Sequence, residues 1–392
     1  MKGCSPNDKI KYTRYIGGNN METLKVRTYE LCGTNYEIGY ELGKSIVNIP
    51  ELICEQTNKS NVVTKEEENY MVELFDKYCP GLNEELQGFA DAIQVDSSQL
   101  LYYTMTYLRP GCSQVALTPE LTENGHVLFA RNFDFSHHME DFALCKTKVV
   151  GKYAHIGTTV MQFGRTEGMN ECGLGVSQTS CGYPVGAQEG MRKPKIVGLQ
   201  FWAVIRYLLE NCKDVEDALG YIEDMPIAYN INLLLADKSG NMVLVETLDG
   251  KKEIKKINEF GNKREYFLHS TNHIHIDKLH KLEPQSMNNS IHRYNLIKEY
   301  VDNSKKISEK DLMNFLSLKY PYGLSCNYYN DFFGTLKSIV MDLNTGTFNI
   351  LWGGLESNIW NKYYLNDNIK STTQLINIDI EKAPSDFFEL IE

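Results

Sequence analysis

The chain contains 392 residues, of which 42% are hydrophobic, and it carries a formal net charge of -11. This length and composition suffice for one large domain or two, and the acidic balance argues against a nucleic-acid surface, which would show a basic excess. No stretch approaches the roughly 18 consecutive apolar residues of a membrane helix, and the first residues lack the apolar core of a secretory signal. We therefore expect a cytoplasmic protein with neither a membrane nor a nucleic acid as partner.

The leading third of the chain has mainly helical patterns. A first strand is predicted at 24–32, followed by a helix over 33–60 that Pro50 interrupts. Thr64 is a plausible N-cap for a helix over 64–78, because three glutamates follow it in the first turn. Two further helices are predicted over 83–94 and 99–107.

The sequence changes from helical to strand-like patterns at Gly111, where a β-hairpin is predicted. A strand at 114–117 and a second strand at 126–135 flank the turn residues 123–125. This hairpin would return Arg131 and Asp134 to the level of Cys112. A thiol beside a cation is a candidate nucleophile, since nearby positive charge lowers a thiol pKa. The alternative is a buried, inert cysteine.

The remaining sequence is rich in strands. Helices are predicted at 195–212 and 288–302, and strands at 146–150, 155–163, 172–178, 231–237, 242–247, 335–343 and 346–352. Sheets with segregated helices predict an α+β layered fold. The ten cysteines form no C-x-x-C pair and the nine histidines lack metal spacing. We therefore expect reduced thiols, no metal and no cofactor.

Several motifs, in order, resemble those of the acyl-coenzyme A:6-aminopenicillanic acid acyltransferases and the wider linear-amide C-N hydrolases, which include choloylglycine hydrolases. They lie at 79–90, 111–113, 130–135, 168–174, 232–237, 269–273 and 289–293. The resemblance implies the four-layer αββα sandwich of the N-terminal-nucleophile hydrolases. It also implies a precursor that cleaves its own Gly111-Cys112 bond.

Cleavage would divide one structural domain into a small chain, 1–111, and a nucleophile-bearing chain, 112–392, which we expect to stay associated. A glycine at 111 suits this step because it tolerates strained turn geometry and leaves its carbonyl open to attack. The freed α-amine of Cys112, with an ordinary pKa of roughly 7.7 to 8, can act as the base for its own thiol.

The resemblance also implies roles for four other residues. Asp134 would hold the α-amine, Arg131 would tune the thiol, and Asn232 would donate to the oxyanion. Arg293 would support the charged cluster or the substrate. Alternative roles remain for each: Asp134 could cap a turn, Asn232 could satisfy backbone groups, and both arginines could form structural ion pairs.

Three other features bear on the substrate. Choloylglycine hydrolases carry a second oxyanion asparagine after the Gly-Leu segment, whereas this chain has Val-Ser-Gln-Thr-Ser at 176–180, where Ser180 or a backbone N–H would substitute. This difference favours the penicillin acyltransferase-like branch. The aromatic residues at 320–334 form either an apolar acyl pocket wall or ordinary core. The pairs Asn170-Glu171 and Asn272-His273 are interpreted as structural.

The predicted partner is a small-molecule N-acyl amide or acyl thioester, and a homo-oligomer is compatible with the sequence. Two other classes of protein stay open. A papain-like hydrolase would pair Cys112 with His269 or His273 and would not cleave itself. A catalytically inactive binding protein on the same fold would have an unreactive Cys112.

Overall fold

A computed structural model describes residues 20–57, 64–103, 111–160, 162–182, 185, 192–258 and 265–391. Within these residues the strands are β1 (Met21–Gly33), β2 (Gly111–Leu117), β3 (Leu128–Phe135), β4 (Ala143–Val149), β5 (His155–Val160), β6 (Phe163–Asn170), β7 (Leu174–Ser180), β8 (Ile231–Asp237), β9 (Met242–Leu248), β10 (Lys251–Lys256), β11 (Phe267–Ser270), β12 (Ser286–Met287), β13 (Asn327–Tyr328), β14 (Phe333–Asp342), β15 (Thr347–Trp352), β16 (Asn361–Tyr364), β17 (Thr372–Asp379) and β18 (Leu390–Ile391).

The α-helices of the same residues are α1 (Asn35–Lys44), α2 (Pro50–Thr57), α3 (Lys65–Tyr78), α4 (Leu82–Ile93), α5 (Phe201–Asn211), α6 (Val215–Asp224), α7 (Asp277–His280), α8 (Asn288–Asp302) and α9 (Glu309–Ser317). None of these described helices is both long and apolar enough to cross a membrane.

Two large sheets dominate the architecture. The first has nine strands in the order β10-β9-β8-β7-β6-β5-β4-β1-β17, and only the β1–β4 pair among them is parallel. The second runs β11-β2-β3-β14-β15-β16 and is antiparallel throughout. The leading segment contributes β1 to the interior of the nine-stranded sheet, between β4 and β17.

Contacts between helices and sheets define the layers of the fold. Helices α1, α4 and α5 lie on the nine-stranded sheet, with α5 against β6 and β7. The two sheets face each other through β2, which contacts β7 and β8, and α8 and α9 cover the outer face of the second sheet. The predicted four-layer αββα sandwich is therefore confirmed. Because β2 lies between a sheet and helices, every one of its residues is buried.

Many predicted elements are confirmed. The first strand, the helix over 288–302 and the strands at 231–237 and 242–247 lie as expected. Thr64 caps α3 through a reciprocal capping box with Glu67. The long helix predicted over 33–60 is two helices, since the chain leaves the helix after Lys44 and resumes at Pro50.

Other expectations are wrong. The described part of the helix predicted at 99–107 consists of two short 3-10 turns, and α5 begins at Phe201 rather than 195. Strand β6 was missed, and so were α6, α9 and β17. Cys54 is disulfide-bonded, with a partner outside the described residues, so the expectation of reduced thiols fails there. The other described cysteines form no disulfide.

Candidate active site

The β2–β3 hairpin brings the predicted residues together. In its antiparallel register Gly111 pairs with Asp134, and Cys112 pairs with Phe133. Arg131 lies opposite Gln114, so its long side chain shares a face with Cys112. The sequence-based expectation that this hairpin returns Arg131 and Asp134 to the level of Cys112 is confirmed. The neighbouring Arg109 and Pro110 lie outside the described residues.

The thiol of Cys112 points into the space between the sheets and is fully buried. Arg131 Nη2 donates a hydrogen bond to its Sγ at 3.1 Å. Burial raises the pKa of the Cys112 thiol, and the Arg131 guanidinium opposes this rise. In the uncleaved chain the thiol is therefore shielded from solvent and held next to a positive charge.

Arg131 is anchored on its other side by the opposite sheet. Its Nη1 donates at 2.6 Å to Glu167 Oε2 and at 2.6 Å to the carbonyl of Thr166. Arg131 therefore forms the structural ion pair that its alternative role requires and also contacts the thiol of Cys112.

Asp134 is buried on the helix-covered face of the second sheet. Thr335 donates to its Oδ1 at 2.6 Å, whereas its Oδ2 has no hydrogen-bond partner among the described residues. Burial raises the pKa of Asp134 to about 6, while Arg293 and the Thr335 hydrogen bond act in the opposite direction. One oxygen of a buried carboxyl is thus available for a new donor.

Arg293, on α8, contacts the backbone of Cys112. Its Nη1 donates at 2.6 Å to the carbonyl of Cys112 and at 2.7 Å to Ser113 Oγ. Its Nη2 donates at 2.8 Å to the side-chain oxygens of Asn272 and Asn289. No carboxylate among the described residues forms a salt bridge with Arg293, although it is completely buried. A structural ion pair does not account for it.

Asn232 lies on β8, and its amide nitrogen is already engaged. Nδ2 donates at 2.8 Å to the carbonyls of both Thr271 and His273, and it lies 3.1 Å from Thr179 Oγ1. No hydrogen bond joins Asn232 to Cys112 within the described residues. Here Asn232 satisfies backbone groups, which was its alternative role.

Asn272 also contacts the site, which the sequence interpretation missed. Its Oδ1 accepts from the backbone N–H of Cys112 at 2.9 Å, and its Nδ2 donates to the carbonyl of Ser180 at 2.9 Å. The Ser180 hydroxyl lies 3.3 Å from the same Nδ2. The signal was present, because Asn272 lies within one of the motifs that carry the resemblance. Asn170, by contrast, orders only backbone groups and helix ends, as expected.

Gly111 begins β2, and the space around its Cα is tight. A Cβ on Gly111 would lie 2.2 Å from Cε2 of Phe333. Phe333 packs with Tyr328 and Phe387 in an aromatic cluster, and Arg293 lies 4.9 Å from the centre of its ring.

The aromatic stretch at 320–334 divides between two roles. Tyr329 is fully buried and is part of the core, whereas Phe332 and Tyr322 are exposed. Phe332 packs on Phe135, with ring centroids 6.2 Å apart. Phe333 lies next to Gly111, Tyr329 belongs to the core, and Tyr322 is exposed.

The histidines required by the papain-like alternative are engaged elsewhere. His273 Nδ1 lies 2.8 Å from Ser290 Oγ, and the His269 ring stacks on Tyr294 at 4.0 Å. Burial lowers the pKa of each of these two histidines to about 3. No histidine among the described residues forms a hydrogen bond with Cys112. The polar groups next to Cys112 among the described residues are the guanidinium of Arg131 at its thiol and the side-chain oxygen of Asn272 at its backbone N–H.

The chain matches one family of known proteins in sequence. Residues 121–356, more than half of the chain, match the family described as acyl-coenzyme A:6-aminopenicillanic acid acyl-transferase. The matched range contains Arg131, Asp134, Asn232 and Arg293 but begins after Cys112. No functionally curated protein matches the chain significantly in sequence.

Solved structures of low similarity were also found. A mutant conjugated bile acid hydrolase from Clostridium perfringens is 16% identical with a TM-score of 0.44, covering 70% of this chain and 99% of that chain. A second variant of that hydrolase is 17% identical with a TM-score of 0.44, covering 70% and 100%. Penicillin V acylase from Agrobacterium tumefaciens is 19% identical with a TM-score of 0.42, covering 64% and 85%. With TM-scores below 0.5, these likenesses support no conclusion about this chain.

Proposed function

Because the chain belongs to the acyl-coenzyme A:6-aminopenicillanic acid acyl-transferase family, we propose that it is a self-processing enzyme with Cys112 as its N-terminal nucleophile. Its reaction is acyl transfer or linear-amide hydrolysis through a thioester on this cysteine. The observation that carries the proposal is the unpaired Oδ2 of buried Asp134, one strand away from the backbone nitrogen that cleavage would convert into an amine.

Self-cleavage is the first step. Cys112 Sγ attacks the carbonyl carbon of Gly111, the Gly111-Cys112 peptide bond breaks, and the nitrogen of Cys112 takes up a proton. Water then hydrolyses the Gly111 thioester, which leaves a carboxylate on Gly111 and returns the thiol. Arg131 stabilises the attacking thiolate, and Asn272 and Arg293 hold the backbone of Cys112 on both sides of its Cα.

The freed amine then completes the site. As an ammonium it would donate to Asp134 Oδ2 and to Asn272 Oδ1, which already accepts from the same nitrogen. As a neutral amine it would take the proton from Sγ when Cys112 attacks the acyl carbon of a substrate. The substrate's amine or thiol leaves with that proton, and water or a second amine removes the acyl group from Cys112.

Asn232 remains our candidate donor to the oxyanion. It would have to exchange one of its carbonyl partners for the oxyanion, an interaction that can be worth about 3 to 4 kcal/mol in such sites. The nearby pair of Ser180 and Asn272 Nδ2 offers further donors in the same region. The apolar rings of Phe332 and Phe333 would face the acyl group.

The proposed substrate is a small N-acyl amide or acyl thioester. We also propose that the two pieces stay together after cleavage and act in the cytoplasm, with a homo-oligomer compatible with the fold. Neither a nucleic acid nor a membrane is required for this chemistry.

The proposal is tested by trapping the acyl-enzyme. Purified protein is mixed briefly with a panel of N-acyl amides and acyl thioesters, quenched in acid, and analysed by peptide mass spectrometry. The expected result is an acyl adduct on Cys112 that Cys112→Ala lacks and Cys172→Ala, which changes a partly buried thiol outside the site, retains. An adduct that persists in Cys112→Ala, or turnover without any adduct on Cys112, would refute the proposed nucleophile.

A further inference from the structure

The guanidinium of Arg131 bridges two ionisable groups that come from opposite sheets. Its Nη2 contacts Cys112 Sγ at 3.1 Å on its own sheet, and its Nη1 contacts Glu167 Oε2 at 2.6 Å on the facing sheet. Arg131 and Glu167 are both completely inaccessible to solvent. Since water cannot screen this pair, the carboxyl group acts on the guanidinium at nearly full strength.

Glu167 is itself held in place from both sides. Thr166 Oγ1 donates to its Oε2 at 2.9 Å, and Thr158 Oγ1 donates to its Oε1. Thr158 and Glu167 are opposite each other in the β5–β6 pair, so the register of two strands fixes the carboxyl group. The carbonyl of Thr166 shares Arg131 Nη1 with Glu167. These contacts leave the guanidinium one orientation, with Nη2 directed at the thiol.

We propose that Glu167 is a positioning residue for Cys112, which orients Arg131 and limits how strongly its positive charge stabilises the thiolate. The inference rests on the proposed function, in which Cys112 is the nucleophile. Two opposing effects follow from one carboxylate. It keeps the donor aimed at Sγ, which favours the reaction, and it offsets part of the guanidinium charge, which keeps the thiol from ionising too readily.

Glu167→Gln tests both effects: the alkylation profile reports the charge, and kcat reports the orientation of Arg131. The amide keeps an oxygen that can accept from Arg131 but removes the negative charge, so the thiolate gains stability. We expect the pH profile of iodoacetamide alkylation of Cys112, measured on the self-cleaved protein, to move about one unit towards acid. We also expect kcat to fall at least tenfold with KM unchanged, because the neutral amide holds Arg131 through a weaker hydrogen bond than the carboxylate does.

The matched control is Glu85→Gln. Glu85 forms a buried ion pair with Arg206 at 2.8 Å between α4 and α5, on the far side of the nine-stranded sheet from Cys112. This variant should lower stability while leaving the alkylation profile of Cys112 unchanged. Glu167→Asp keeps the charge on a shorter side chain. It should therefore retain the wild-type profile and show a kcat between those of wild type and Glu167→Gln.

The outcomes separate this inference from the proposed function. If the wild type cleaves itself and turns over but Glu167→Gln shows the wild-type alkylation profile, the inference is refuted and the proposed function stands. If Glu167→Gln does not fold, Glu167→Asp decides: a wild-type kcat would refute the positioning role. Failure of the wild type to cleave or to form an acyl-enzyme would instead refute the proposed function.

Discussion

At the scale of single residues, the unpaired oxygen of Asp134 gives a pH dependence that can be measured. Burial raises its pKa to about 6, whereas an aspartate in an unfolded chain titrates near pH 3.9. The folded state therefore binds this proton more tightly. The cost of ionising Asp134 is absent below about pH 4, grows between about pH 4 and 6, and stays constant above that range.

Replacing Asp134 should therefore stabilise the uncleaved chain at neutral pH only. We expect Cys112→Ala/Asp134→Asn to unfold with a free energy higher than that of Cys112→Ala by about 3 kcal/mol at pH 7 and by almost nothing at pH 4. Urea unfolding of the two variants at both pH values measures this difference. An equal difference at pH 4 and pH 7 would show that Asp134 does not titrate in this window.

Asn232 gives a second prediction at this scale, because its two roles predict different measurements. Asn232→Ala leaves the carbonyl of His273 without its Asn232 donor, and the carbonyl of Thr271 keeps only Thr179 Oγ1, so we expect a loss of about 1 to 3 kcal/mol in unfolding free energy. If Asn232 is the oxyanion donor, the variant should also lose about 100- to 1,000-fold in kcat.

The control for this variant is Asn230→Ala, which removes another buried asparagine, one that accepts from the backbone N–H of Asp249. It should lower stability and leave kcat of the folded enzyme unchanged. If Asn232→Ala behaves in the same way, Asn232 is structural and the oxyanion donor lies elsewhere.

The sequence predicted part of this site, for reasons that are local. Cys112, Arg131 and Asp134 share one hairpin, so strand alternation and a turn signal were enough to bring them together. Asn272 Oδ1 meets the nitrogen of Cys112 across 160 positions. Glu167 reaches Arg131 from the facing sheet. Contacts of this kind depend on how sheets stack, which no periodicity within one segment encodes.

At the scale of elements, α8 links the site to the segment at 383–391. Asn289 accepts from Arg293 Nη2 through Oδ1 and donates through Nδ2 to the carbonyl of Phe387 at 2.7 Å. The ring of Phe387 packs on Phe333, 4.9 Å between centroids, and Phe333 lies against Gly111. Asn289 therefore connects the segment at 383–391 to Arg293, which contacts Cys112.

We therefore expect Asn289→Ala to slow self-cleavage at least tenfold and to reduce stability by about 1 to 3 kcal/mol, since the carbonyl of Phe387 and the guanidinium of Arg293 each lose one buried hydrogen bond. The time course of cleavage after purification at low pH measures the first effect. Asn288→Ala is the control, because Asn288 bonds the same segment through the carbonyl of Asp386 without touching Arg293. Equal cleavage rates in the two variants would contradict the role of Asn289.

The elements that sequence patterns missed have physical explanations. Strand β6 has the sequence Phe-Gly-Arg-Thr-Glu-Gly-Met-Asn and is buried throughout, and its two charged residues find partners both within the strand and on other strands. Its polar composition therefore resembles that of a loop. Helix α9 is short, but its Ser308–Asp311 capping box was visible in the sequence and could have identified it. Strand β17 is an exposed edge strand and has too few buried positions to show alternation.

At the scale of the whole molecule, the described part of the leading segment contributes a strand and helices to the sandwich. Strand β1 pairs with both β4 and β17, and α1 and α4 supply apolar residues to the main core. Separating 1–111 from 112–392 would expose this surface and break two strand pairings. Association of the pieces after cleavage is therefore the favourable state.

We therefore expect the cleaved protein to behave as one species containing both pieces, in size-exclusion chromatography and in native mass spectrometry. Native mass spectrometry at neutral pH should show a 1:1 complex, or a symmetric multiple of it, and the pieces should separate only under denaturing conditions. Finding the 112–392 piece alone under native conditions would contradict the prediction.

The central claim, a cysteine that frees its own α-amine, is tested most directly by the denaturing mass of the purified protein beside that of Cys112→Ala. The account predicts that the wild type splits into pieces ending at Gly111 and beginning at Cys112, and that the variant stays whole. A wild type that remains intact across pH and time, or a Cys112→Ala chain that still splits at this bond, would contradict it.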